Sequence, residues 1–137
     1  MPRRSADVTA NFTARFGMPW AAMTLVLIAL HGIPGSHFSG QELWIEWRLD
    51  LLLHTFLFGM WSISGLVALR KSGDGSLVGR HAWPVVMVIG MALALGLEWA
   101  QSGFFEGRGR DITDGIADVF GLFSGGFAFR ALYLEWP

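Results

Sequence analysis

Apolar residues fall into four long runs separated by short polar stretches: Met18 to Ile33, Leu51 to Leu69, Ala82 to Gln101, and a last run from near Asp114 to near Tyr133. A helix needs roughly 20 predominantly apolar residues to cross a hydrocarbon core. The first run is the shortest, at about 16 residues, and Gly17 and Pro34-Gly35 extend it to spanning length. The pattern predicts an all-α membrane protein with four transmembrane helices. Residues 1–16 are polar and carry Arg3, Arg4 and Arg15. No small-x-small cleavage pattern follows the first run cleanly, so it reads as an uncleaved helix rather than a signal peptide. The expected organisation is an N-terminal segment over 1–16 and a membrane domain over 17–137.

Between the first two runs, residues 37–49 read H-F-S-G-Q-E-L-W-I-E-W-R-L. Ser39 with Glu42 forms a capping-box pattern, and Trp44 and Trp47 share one helical face. A short amphipathic interfacial helix is predicted there, its tryptophans at headgroup level. The stretch S-G-D-G-S-L-V-G-R-H between the second and third runs reads as a glycine-rich loop without a P-loop pattern.

Helical spacing sorts the polar residues onto faces. Asp50, His54, Trp61 and Gly65 form one stripe of the second run, and Gly90, Ala94, Glu98 and Gln101 one stripe of the third. Ala92, Gly96 and Ala100 make a second small-residue stripe on the third run, a packing face of the small-xxx-small kind. On the fourth run Asp111, Asp114, Asp118, Gly121 and Gly125 share a face that is acidic at its start and glycine beyond. Gly121 and Gly125 should permit close approach of another helix, expected to be the third span.

Composition agrees with the pattern. Charged residues make up 15% of the chain, against about 25% in a soluble domain, and mean hydropathy is +0.45. A net charge of -1 with no massed basic patch argues against nucleic acid as a partner. The absence of cysteine excludes disulfides, a thiolate nucleophile and cysteine-ligated metal. The expected partners are membrane lipids.

Four spans place both termini on one side. That side carries Arg3, Arg4, Arg15, Arg70, Lys71, Arg80 and Arg130, and the other carries Arg48, Arg108 and Arg110. The positive-inside rule makes the termini cytoplasmic. Asp50, His54, Glu98, Gln101, Arg108, Arg110, Asp111, Asp114 and Asp118 then share one depth zone toward the outer face. His31, near the far end of the first run, reads as an interfacial histidine.

Charge inside a span costs about 2.5–3.5 kcal/mol at the bilayer centre on insertion scales, so these residues need partners. Arg108, then Arg110, are the candidate partners of Glu98. Asp111 or Thr113 is a candidate N-cap of the fourth helix, with Asp114 complementing its N-terminus. Asp118, a turn deeper, needs a donor such as His54, which could instead pair with Asp50. His54, Asp114 and Asp118 are the candidate catalytic groups. Oxygen ligands for Mg²⁺ or Ca²⁺ are present, but the arginines would neutralise those acids, and no metal or other cofactor is expected. Ser102 and Ser124 lack a nucleophile-elbow context.

Three stretches carry a resemblance: D-L-L-L-H from Asp50 to His54, E-W-A-Q from Glu98 to Gln101, and R-G-R-D-I-T-D-G-I-A-D-V-F-G-L-F-S-G from Arg108 to Gly125. Together they resemble the VanZ-like family of small bacterial integral membrane proteins. On that resemblance Arg108 and Asp114 stand at the family's arginine and aspartate, and Gly121 and Gly125 at its glycines. The chain departs from the family with Asp118 for asparagine, Leu51 for a lysine, and a longer stretch from Gln101 to Arg108. The resemblance implies a multi-pass cell-envelope protein tied, in the founding type, to glycopeptide (teicoplanin) resistance. The residues themselves leave three readings open. One is a site for a polar or lipid-linked envelope precursor. The second is an enzyme acting on a lipid-linked phosphate, with His54 and Asp114 or Asp118 as acid and base. The third is an accessory subunit of a larger membrane complex.

Overall fold

A computed structural model describes residues 3–33, 48–72, 77–104 and 112–133. They form five helices: α1 Arg3–His31, α2 Leu49–Ser72, α3 Leu77–Arg80, α4 Ala82–Phe104 and α5 Ile112–Tyr133. There is no strand among the described residues. Four helices are long and apolar enough to cross a membrane, over Ala14–His31, Leu49–Lys71, Ala82–Gln101 and Ile112–Tyr133. This makes the chain a multi-pass membrane protein by length and composition.

The first span is the last part of a longer helix, because α1 begins at Arg3 and runs through the polar N-terminal residues. Pro19 lies inside α1 and cannot donate to the carbonyl four residues back. The glycine-rich stretch expected as loop contains one helical turn, α3. Most of the interfacial helix expected over 37–49 falls outside the described residues. Its last two positions do not continue a helix of that kind: Arg48 has a φ of 44°, and Leu49 opens α2.

α2 is the central helix. It packs against α1, α4 and α5, and its most extensive interface is with α5. The core gathers Leu27 from α1, Phe58, Trp61 and Leu66 from α2, Val86 from α4 and Leu122 from α5, all essentially inaccessible. Trp61 is the largest of these. Its indole Nε1 donates to Thr24 Oγ1 at 2.8 Å, and the Thr24 hydroxyl donates to the Trp20 carbonyl at 2.9 Å. Trp20 itself stacks obliquely on Trp61, with ring centroids 5.4 Å apart. A buried indole keeps a polar handle that must be satisfied, and here it ties α2 to α1.

The α2–α5 contact is set by glycine. A β-carbon at Gly121 would strike the Thr55 backbone, and one at Gly125 the Gly59 backbone. With no side chain at these positions the two backbones meet directly, and Thr55 Oγ1 donates across the seam to the Ala117 carbonyl at 3.3 Å. The glycine face therefore packs on the second span, where the third was expected. Lipid tails are as apolar as leucine, so association inside a membrane rests on such close packing rather than on the hydrophobic effect. The third span contributes at Gly90, which fits against Leu122 and Trp61. Among the described residues its other small stripe is not a packing face: Ala92 and Gly96 are exposed there, and no described residue lies within 4 Å of a β-carbon at Gly96. Outward positions such as Leu52, Phe56, Val88, Leu95, Phe120 and Phe127 are large, apolar and exposed, as a lipid-facing surface requires.

Candidate functional site

At one end of the bundle the C-termini of α1 and α4 meet the N-termini of α2 and α5. The polar residues buried there are His31 on α1, His54 on α2, Glu98 and Gln101 on α4, and Asp114 and Asp118 on α5. Each arrives by helical register. Asp114 and Asp118 are one turn apart on the face that continues into Gly121 and Gly125, and His54 is one turn before Phe58 on the inward stripe of α2. The close α2–α5 contact brings those two faces together.

Asp118 is the centre of the cluster and is fully inaccessible. His54 Nδ1 donates to its Oδ1 at 2.7 Å, and its Oδ2 lies 4.0 Å from His31 Nε2. His54 presents its other nitrogen, Nε2, to Asp114 Oδ2 at 4.0 Å. The two imidazoles meet edge to face with centroids 4.7 Å apart, and His31 also stands edge-on to Phe58. His31 Nδ1 donates to the Leu27 carbonyl at 2.8 Å, which fixes the proton on Nδ1 and turns Nε2 toward Asp118. Gln101 Nε2 donates to the His31 backbone carbonyl at 3.1 Å and so holds the end of α1 against α4.

Glu98 is buried on the adjoining flank of α4 and packs over Gly115, whose β-carbon position is 3.9 Å from Glu98 Cγ. Beside it an open-sided groove of about 350 Å³ runs between α4 and α5. Ala94, Leu95, Ile112, Gly115, Ile116 and Val119 line it together with Glu98, so its wall is apolar apart from one carboxylate.

The structure thus brings His54, Asp114 and Asp118 together, with Gln101 joined to them through His31 and Glu98 on the groove side. Asp50 stands apart: it is partly exposed and lies 3.6 Å from Arg48 Nε. Thr113 is the second residue of α5 rather than the residue preceding it, and its hydroxyl accepts from Arg48 Nη2 at 2.9 Å. Arg108, Arg110 and Asp111 lie outside the described residues, and with them the expected Glu98–Arg108 pairing. His31 is the residue that sequence patterning placed elsewhere. It is no interfacial side chain but a buried one, 4% exposed, in contact with the acid–histidine pair. Its signal was positional: it ends the first span at the same end of the bundle as Asp50, Gln101 and Asp114.

Two imidazoles and a carboxylate can hold a metal ion, and the ligand atoms of His31, His54 and Asp118 all lie within 4.8 Å of one another. The same groups can relay or hold a proton. No family model matches the chain, and neither a curated protein nor a solved structure does so.

Proposed function

We propose that this is a bacterial inner-membrane protein, with cytoplasmic termini and its polar site toward the outer face, that binds a lipid-linked cell-envelope ligand. The carrying observation is the position of Glu98: a buried carboxylate in the wall of an apolar groove, beside the buried His31–His54–Asp114–Asp118 cluster. An acyl or polyprenyl chain in that groove exchanges lipid contacts for protein contacts, which gives shape selection and little driving force. Affinity must come from the headgroup. Carboxylates accept from its hydroxyl or ammonium groups, and Arg108 and Arg110, next along the chain, supply donors for phosphate. The resemblance to VanZ-like proteins supports an envelope role linked to glycopeptide resistance.

The test is native mass spectrometry of the detergent-purified full chain with a polyprenyl-diphosphate-linked sugar precursor. Wild type should retain the ligand, Gly115→Leu should lose it by filling the groove, and Glu98→Gln and Arg108→Ala should weaken it. Equal retention by all four proteins overturns the reading. The His54–Asp118 hydrogen bond favours a second reading, an acid–base pair acting on a lipid-linked phosphate. Turnover of that substrate by His54→Ala at the wild-type rate would exclude it.

A further inference from the structure

We propose that His31 Nε2, His54 Nδ1 and a carboxylate oxygen of Asp118 form a binding site for a divalent transition metal of the Zn²⁺ class. The three residues come from three different helices, all are buried, and their ligand atoms lie within 4.8 Å of one another. Nitrogen and oxygen ligands at about 2.0–2.2 Å from a tetrahedral zinc stand roughly 3.3–3.6 Å apart. The separations of 4.0 Å from His31 Nε2 to Asp118 Oδ2 and 2.7 Å from His54 Nδ1 to Asp118 Oδ1 run to different carboxylate oxygens, so ligation through one oxygen needs the Asp118 carboxylate to turn and the two rings to adjust around it.

The surroundings of the two histidines fit ligation. Metal-bound histidines hold the proton of their second nitrogen on a carbonyl or carboxylate, which fixes the tautomer and aims the lone pair. His31 does this with its Nδ1–H on the Leu27 carbonyl, leaving Nε2 as the ligand atom. Gln101 steadies the same turn of α1 through the His31 carbonyl. His54 has Asp114 Oδ2 at 4.0 Å from Nε2. When a metal takes Nδ1, the imidazole proton moves to Nε2, and Asp114 Oδ2 needs to approach by about 1 Å to accept it. A dication also offsets the two carboxylates, Asp114 and Asp118, in a region where uncompensated charge is costly.

The donor set selects the ion. Two imidazoles with one carboxylate suit Zn²⁺, Co²⁺ or Ni²⁺, whereas Mg²⁺ and Ca²⁺ prefer all-oxygen shells. With three protein ligands the fourth position of a tetrahedral ion is left for water or a ligand group. This inference does not depend on occupancy of the α4–α5 groove, which a separate set of residues lines.

The experiment uses the full chain purified in detergent, stripped with chelator, desalted and reloaded with Zn²⁺, Co²⁺ or Mg²⁺. Wild type should retain one equivalent of Zn²⁺ by elemental analysis and none of the Mg²⁺. Its Co²⁺ form should show the intense d–d absorption of a four-coordinate site, and Zn²⁺ should raise its thermal unfolding midpoint. His31→Gln and Asp118→Asn should lose the retained metal. Asp114→Asn should keep the stoichiometry but bind about 10–100-fold more weakly, as expected for an outer partner of a ligand histidine. The wild-type measurements need no variant to fold. No retained Zn²⁺ and no rise in the wild-type midpoint would overturn the proposal, and so would undiminished Zn²⁺ retention by folded His31→Gln.

Discussion

His54 Nδ1 donates to Asp118 Oδ1 at 2.7 Å across 64 residues of sequence, joining α2 to α5 at a point fully closed to solvent. The bond exists because two glycines one and two turns along α5 let its backbone rest on that of α2. The polar cluster and the glycine seam are thus parts of one interface, with charge at its mouth and bare backbone below.

The strength of that pair follows from its burial. An average side-chain hydrogen bond in a membrane protein is worth about 0.6 kcal/mol, because the unfolded helices also find partners. A hydrogen bond to an ionised group is worth about 1.5–3 kcal/mol. A double-mutant cycle with His54→Ala and Asp118→Ala in chelator-treated protein should give a coupling in the upper range. The Arg48–Asp50 pair, half and about a third exposed, should give about 0–1 kcal/mol in the same assay. Equal couplings for the two pairs would contradict this account.

The glycine seam predicts a contrast between helices. Gly121→Ala and Gly125→Ala each place a methyl group into opposing backbone, which cannot rotate away. Overpacking of this kind costs about 1–3 kcal/mol, and both variants should show lowered unfolding midpoints in detergent. Gly96→Ala meets nothing within 4 Å among the described residues. It should be neutral or stabilising by up to about 1 kcal/mol through helix propensity.

Trp61 carries a separable polar and apolar load. Trp61→Phe keeps most of the ring volume but removes the bond to Thr24, at a cost of about 0.5–1.5 kcal/mol. Trp61→Ala empties the core between α1, α2 and α4 and should cost about 3–5 kcal/mol. Urea or thermal unfolding of the two variants side by side would separate the terms.

Arg48 sits at a φ of 44°, a left-handed conformation that costs a residue with a β-carbon about 1–2 kcal/mol. Arg48→Ala loses the contacts to Thr113 and Asp50 and keeps that cost. Arg48→Gly loses the same contacts and escapes it. The glycine variant should therefore be the more stable of the two by about 1 kcal/mol in thermal unfolding.

The number of spans was legible because apolar length is a local property. So was the sorting of Gly90, Ala94, Glu98 and Gln101 to an inward stripe, since 3.6-residue periodicity puts them on one face and all four are buried. Periodicity gives a helix a face but not a neighbour. That is why the Gly121–Gly125 face was matched to the third span although it rests on the second. It is also why Ala92, Gly96 and Ala100 read as a packing face although the first two are exposed. A small-residue stripe looks the same in sequence whether another helix covers it or not.

Apolar spanning helices, and acids, histidine and amide recurring at one depth, are already written in the order of residues. Both follow from the cost of exposing backbone and charge to hydrocarbon. Which of those residues meet is a matter of how the helices pack. That packing paired Asp118 with His54 rather than leaving His54 to Asp50, and it drew His31 inward from the end of α1 to face both. Those outcomes depend on the rotation and approach of helices far apart in the chain, set by where the glycines let two backbones touch.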